Sequence, residues 1–227
     1  MKRKVNYWAV FIYYIIAIVC RYLTNKTELL STLENPYLKS ILTGAGPALG
    51  AVFVFFVFNI KPALSLRGNY KSMIFPIILY WVFPVVLIST VSYFTQGKIP
   101  YLAVSSVLIY GLLEEIGWRG FLYQEFKALK PLYNIFLLSL LWFLWHLNFD
   151  FTPVQFFFFG VLILGSWGIG KVADTTGSLI AVSAFHSLNN FFPAINGKSG
   201  AILGLLLLVW VAALVVRKKM KAAALAS

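Results

Sequence analysis

Eight apolar runs follow one another along this chain with only short polar interruptions, and that pattern limits the fold more than any other feature. Crossing a hydrocarbon core of roughly 30 Å takes about 18 or more consecutive apolar residues in a helix. The runs extend approximately from Tyr7 to Leu23, Leu38 to Ile60, Met73 to Phe94, Tyr101 to Phe126, Leu132 to Phe149, Val154 to Lys171, Ser178 to Pro193 and Gly200 to Val216. The seventh is the shortest. Of the 227 residues, 60% are hydrophobic and only 11% charged, too few polar groups to cover a water-soluble globule. The expected fold is therefore all-α, a polytopic transmembrane helical bundle of about eight spans. Residues 1–227 read as a single integral membrane domain whose first partner is the lipid bilayer.

The breaks between runs have a mechanical reading. Proline lacks only an N–H that the first turn of a helix cannot use, so Asn35-Pro36, Ile99-Pro100, Lys130-Pro131 and Thr152-Pro153 predict helix starts. The turn formers at Asp174 to Gly177 and Asn196 to Ser199 separate the last three runs. Pro47, Pro76, Pro84 and Pro193 lie within or at the ends of runs and predict kinks.

The net charge of +12 would suit a nucleic-acid binder only if Lys and Arg shared a polar face, and here they sit between apolar runs. No nucleic-acid partner is expected. With eight alternating spans, the basic residues at 2–4, 61–71, 127–130 and 217–221 fall on one side, which the bias of short loops assigns to the cytoplasm. Both termini are expected there. No small-residue cleavage site follows the first run, so it reads as a retained span rather than a signal peptide. The single cysteine, Cys20, permits no intrachain disulfide and no cysteine-based zinc cluster.

Ionisable side chains within a span cost at least about 2.5 to 3.5 kcal/mol each and call for an explanation. Run four carries Glu114, Glu115 and Arg119, run five ends on His146 and Asn148, and run seven contains His186 and Asn190. Glu115 and Arg119 are spaced i,i+4 with the acid first, the favourable order for a pair on one helix face. Glu114 is rotated about 100° from Glu115 and has no basic partner within a turn, so it needs a histidine, a water, a metal or a proton. At 1.5 Å per residue from their cytoplasmic ends, Glu114, His146 and His186 lie roughly 18, 22 and 15 Å deep, near one level. A shared polar pocket requires that agreement.

A carboxylate and two imidazoles can hold and deprotonate a water, directly or through a divalent metal, and the Asn190 amide could donate to a developing oxyanion. Such a set suits amide hydrolysis. Neither a His-Glu-x-x-His nor a Gly-x-Ser-x-Gly motif is present.

Glu114-Glu115-x-x-x-Arg119, an aromatic four residues before His146, and His186-x-x-x-Asn190 together resemble the CPBP family of intramembrane proteases, the CAAX proteases and bacteriocin-processing enzymes also called Abi. The likeness covers roughly Tyr101 to Pro193, taken as a catalytic core at 101–193. It implies that Glu114 activates the attacking water, that His146, His186 and Asn190 complete the catalytic set, and that Glu115 and Arg119 support it. The family's second motif usually carries Phe where this chain has Trp142. The cofactor stays open between a divalent metal such as zinc, with Glu114, His146 and His186 as candidate ligands, and none. The activity implied is an intramembrane endopeptidase acting on a membrane-associated or hydrophobic peptide or protein, in a bacterial cell membrane. The alternative is a non-catalytic bacteriocin-immunity or scaffold protein that keeps the fold. A proton-coupled carrier ranks behind both, because two related halves with broken helices are not found.

Overall fold

The computed structural model describes residues 4–150 and 152–191, with scattered positions between 202 and 216. Among the described residues the chain is a helical bundle without strands. The elements are α1 (Tyr7–Lys26), α2 (Pro36–Thr43), α3 (Ala45–Val57), α4 (Tyr70–Gln96), α5 (residues 101–126), α6 (Pro131–Trp145), α7 (Pro153–Thr176) and α8 (Leu179–Asn190). Pro36, Pro131 and Pro153 begin their helices, as their missing N–H predicts, whereas Pro100 sits one residue earlier, as the cap of α5. Side-chain oxygens of Asn6, Asn35, Asn69, Thr152 and Ser178 cap the first turns of α1, α2, α4, α7 and α8.

Two helices carry a π turn. In α4 the turn at Ile78–Val82 lies between Pro76 and Pro84, whose missing N–H groups interrupt the regular ladder. In α5 it spans Trp118–Leu122, directly after the paired glutamates. The second run is bent by 42° between α2 and α3.

The count of eight spans is not confirmed. By length and composition three helices can cross a bilayer, α1, α4 and α7, or four if α2 and α3 form one broken span. α5 has the length but concentrates Glu114, Glu115, Arg119 and Glu125. α6 and α8 are apolar but short, and the run from Gly200 to Val216 lies largely outside the described residues. So do Pro193, the break at Asn196 to Ser199 and the basic cluster at 217–221.

α5 is the centre of the bundle. It packs against α2, α3 and α8, and its π turn also meets α6 and α7. Trp118, Phe121 and Leu122 of that turn are buried with Tyr13 of α1 and Trp145 of α6. α1 and α3 approach closely at Gly46 and Gly50, where an added Cβ would lie 2.8 Å from the Ala17 carbonyl and 2.7 Å from the Tyr13 carbonyl, so small residues let these helices pack.

One end of the bundle is laced together. The Asn6 amide donates to the Glu125 carboxylate at 3.2 Å, and Lys127 pairs with Asp174 at 2.6 Å. The segment after α3 bridges to the α7–α8 turn, where the Ser65 amide donates to Gly177 and the Leu179 amide to Ser65. Gly68, at φ 61°, rests on the Thr176 carbonyl, where a Cβ would collide. These are the chain segments that alternating spans would put on one side.

Candidate active site

Glu114 and Glu115 leave α5 in different directions and acquire different partners. Both are buried, at 1% and 0% exposure. Glu114 Oε2 accepts two indole N–H bonds, from Trp118 one turn along its own helix at 3.1 Å and from Trp142 of α6 at 3.0 Å. The Tyr110 ring, one turn before Glu114 on α5, stands edge-on to His186 with ring centres 6.3 Å apart.

Glu115 Oε1 accepts from Arg119 Nη1 at 2.7 Å, the i,i+4 pair legible in the sequence. The same oxygen meets His186 Nδ1 at 2.5 Å, so the pair also anchors a histidine from α8. The Arg119 guanidinium lies 4.6 Å from the Trp142 ring centre, a cation–π contact that offsets part of its burial. With Nδ1–H donating to the Glu115 carboxylate, the neutral imidazole of His186 presents Nε2 as its acceptor. That Nε2 stands 3.9 Å from Glu114 Oε2.

His146 is held by the same logic. Its Nδ1 lies 2.8 Å from the Trp142 carbonyl, which can only accept, so Nε2 is again the lone-pair nitrogen. The residue caps the end of α6, and Leu147 beyond it turns back at φ 55°. The sequence reading carried that run on to Phe149. Instead the helix stops at Trp145 with the histidine as its C-cap. Trp142 joins the two imidazoles, with ring centres 5.2 Å from His186 and 6.4 Å from His146, and Phe158 packs edge-on against His146 at 4.9 Å. Asn190 lies one turn beyond His186, and its amide nitrogen is buried without a hydrogen-bond partner among the described residues. Ser187 bonds the Ser183 carbonyl and takes no part.

Among the described residues, no three His, Cys, Asp or Glu side chains converge in a group able to hold a metal ion. Glu114 Oε2 already takes two indole N–H bonds, whereas His146 and His186 each hold Nδ1 in another contact and keep Nε2 free.

Residues 96–192 match the family model described as Rce1-like, type II CAAX prenyl endopeptidase Rce1-like. This segment is Rce1-like, consistent with a CPBP family intramembrane protease. It runs from the end of α4 through α8 and contains every motif residue from Glu114 to Asn190. No curated protein matches the chain. Together with the apolar helices, the match indicates an integral membrane protein and supports a protease.

Around the paired glutamates stand three further residues that the motif spacing does not single out. Trp118 stands i+4 from Glu114, a spacing that was available to see, but an indole reads as apolar bulk until its N–H is counted. Tyr110 sits i−4 from Glu114 on the same helix. Arg21 lies outside the matched segment; its guanidinium covers the Trp145 ring at 4.2 Å and donates to the Thr43 carbonyl. Only tertiary structure brings it near.

Proposed function

We propose that the chain is an intramembrane endopeptidase that hydrolyses a peptide bond of a membrane-associated or hydrophobic substrate. The observation that carries this reading is the meeting of Glu114 and His186 from separate helices at 3.9 Å, each fixed by other partners. A water about 2.8 Å from both atoms fits that separation. Glu114 takes a proton from this water while the Nε2 of His186 orients it, and the oxygen attacks the scissile carbonyl carbon. The Asn190 amide N–H, otherwise unpartnered, donates to the oxyanion. Glu114 returns the proton to the leaving nitrogen as the C–N bond breaks, and His146 completes the set with its own Nε2. Glu115 and Arg119 are positioning residues, since they act through His186.

The Lys and Arg residues of the laced end support an orientation with both termini in the cytoplasm, and the short loops suit a compact bacterial membrane protein. Comparative peptidomics of membranes and secreted peptides from cells carrying wild type or Glu114→Gln tests the activity. A product present only with wild type, and cleavage of it by purified protein reduced at least about 100-fold in Glu114→Gln and His146→Ala, is the expected result. Unchanged cleavage would remove these residues from the mechanism. A cellular phenotype that survives both substitutions at normal protein levels would favour the non-catalytic immunity or scaffold role.

A further inference from the structure

Away from the glutamate and histidine cluster, at the laced end, a cleft of about 350 Å³ opens between the end of α5, the start of α6 and the last turns of α7. Its rim carries Lys127, Lys171, Asp174 and Tyr123. Lys127 and Tyr123 both bind Asp174, at 2.6 and 2.8 Å, so the acid is neutralised and Lys171 leaves the rim with one net positive charge. The floor is polar where a membrane protein would ordinarily be apolar. Asn134 and Ser166 are buried at 4% and 0% exposure, and Asn134 Oδ1 and Ser166 Oγ lack a hydrogen-bond partner among the described residues. The Asn134 amide nitrogen is spent on the Tyr123 carbonyl at 3.2 Å, so its oxygen is left as a buried acceptor without a donor beneath the cleft. Leu129, Pro131, Leu132 and Ile135 form the apolar wall, while Trp167, on the opposite side, is exposed as interfacial tryptophans are.

We propose that this cleft binds the headgroup of an anionic glycerophospholipid that carries hydroxyl groups, of the phosphatidylglycerol type. The phosphodiester monoanion matches the single net charge of the rim. A headgroup hydroxyl supplies the donor that Asn134 Oδ1 lacks and can exchange a hydrogen bond with Ser166. The first acyl carbons run along Leu132 and Ile135. A choline headgroup offers no donor and no net charge, and fits neither feature. Neither the catalytic set nor the identity of the peptide substrate enters this argument.

Native mass spectrometry of the purified full chain, titrated with phosphatidylglycerol or phosphatidylcholine of matched chains, reads the site directly. Wild type should retain one phosphatidylglycerol preferentially, and the Lys127→Gln, Lys171→Gln double variant should bind it at least about tenfold more weakly. A control double variant at the same end but outside the cleft, Lys61→Gln with Arg67→Gln, should bind as wild type does. Ser166→Ala, which alters no charge, should weaken phosphatidylglycerol and leave phosphatidylcholine unchanged. Equal retention of both lipids, or equal losses in the cleft and control variants, would overturn the proposal. Soluble glycerol 3-phosphate displacing the lipid at equal concentration would overturn a lipid site in favour of a solute site.

Discussion

At the scale of single residues, the chemistry depends on which atoms face Glu114. Its lack of a basic partner on α5 is legible from spacing, and so is the Glu115–Arg119 pair. The two indole donors and the histidine bound to Glu115 are not, because each arrives from sequence-distant elements or from a side chain classed as apolar. Trp142 is the informative position, since it departs from the phenylalanine usual in the motif it resembles. Trp142→Phe keeps a ring beside Arg119 and His186 but removes one N–H bond to a buried carboxylate. The expected outcome is a loss of about 1.5 to 3 kcal/mol in unfolding free energy, measured in detergent, with part of the cleavage activity kept. Unchanged stability would mean that this bond contributes nothing. Glu115→Gln should cost more, about 3 to 5 kcal/mol, because it leaves Arg119 buried without its counter-charge. Rescue of that loss by a second substitution, Arg119→Met, would mark the pair as structural and leave cleavage to report on His186 alone.

At the scale of elements, helix starts followed from proline and cap residues, while helix ends did not. α6 stops at Trp145 because the His146 ring bonds back to the preceding turn, and a run of apolar residues gives no hint of that. The π turn in α5 is equally silent in sequence. Its packing is specified by Gly117, where a Cβ would lie 2.5 Å from Pro47 Cβ and 2.6 Å from both the Pro47 carbonyl and the Tyr13 hydroxyl. Those atoms belong to α3 and α1, so neither helix can yield alone. Gly117→Ala is expected to destabilise the bundle by about 1 to 3 kcal/mol. Gly120→Ala, three residues on, meets nothing nearer than 3.6 Å and should change stability by less than about 1 kcal/mol. Thermal unfolding of the two variants side by side checks the contrast; equal losses would mean that the approach of α1, α3 and α5 is not what constrains Gly117.

At the scale of the whole molecule, the placement of basic residues makes a topological prediction. In a Cys20→Ser background, single cysteines at Lys71 and Lys130 should react with an impermeant thiol reagent only from the cytoplasmic side, and cysteines at Thr27 and Gly97 only from the opposite side. Labelling of Lys71→Cys and Lys130→Cys from different sides would overturn the alternation of spans. The sequence by itself determined that the chain is a helical membrane bundle, where the helices at Pro36, Pro131 and Pro153 begin, and which ionisable residues are too costly to be incidental. Those conclusions rest on burial and backbone geometry, which act locally and leave periodic traces. Tertiary structure alone decided that α5 would be the centre, that α6 would stop at its histidine, and that indole N–H groups would hold the key carboxylate. Hydrogen bonds between distant helices depend on relative rotation and depth, and no local pattern encodes either.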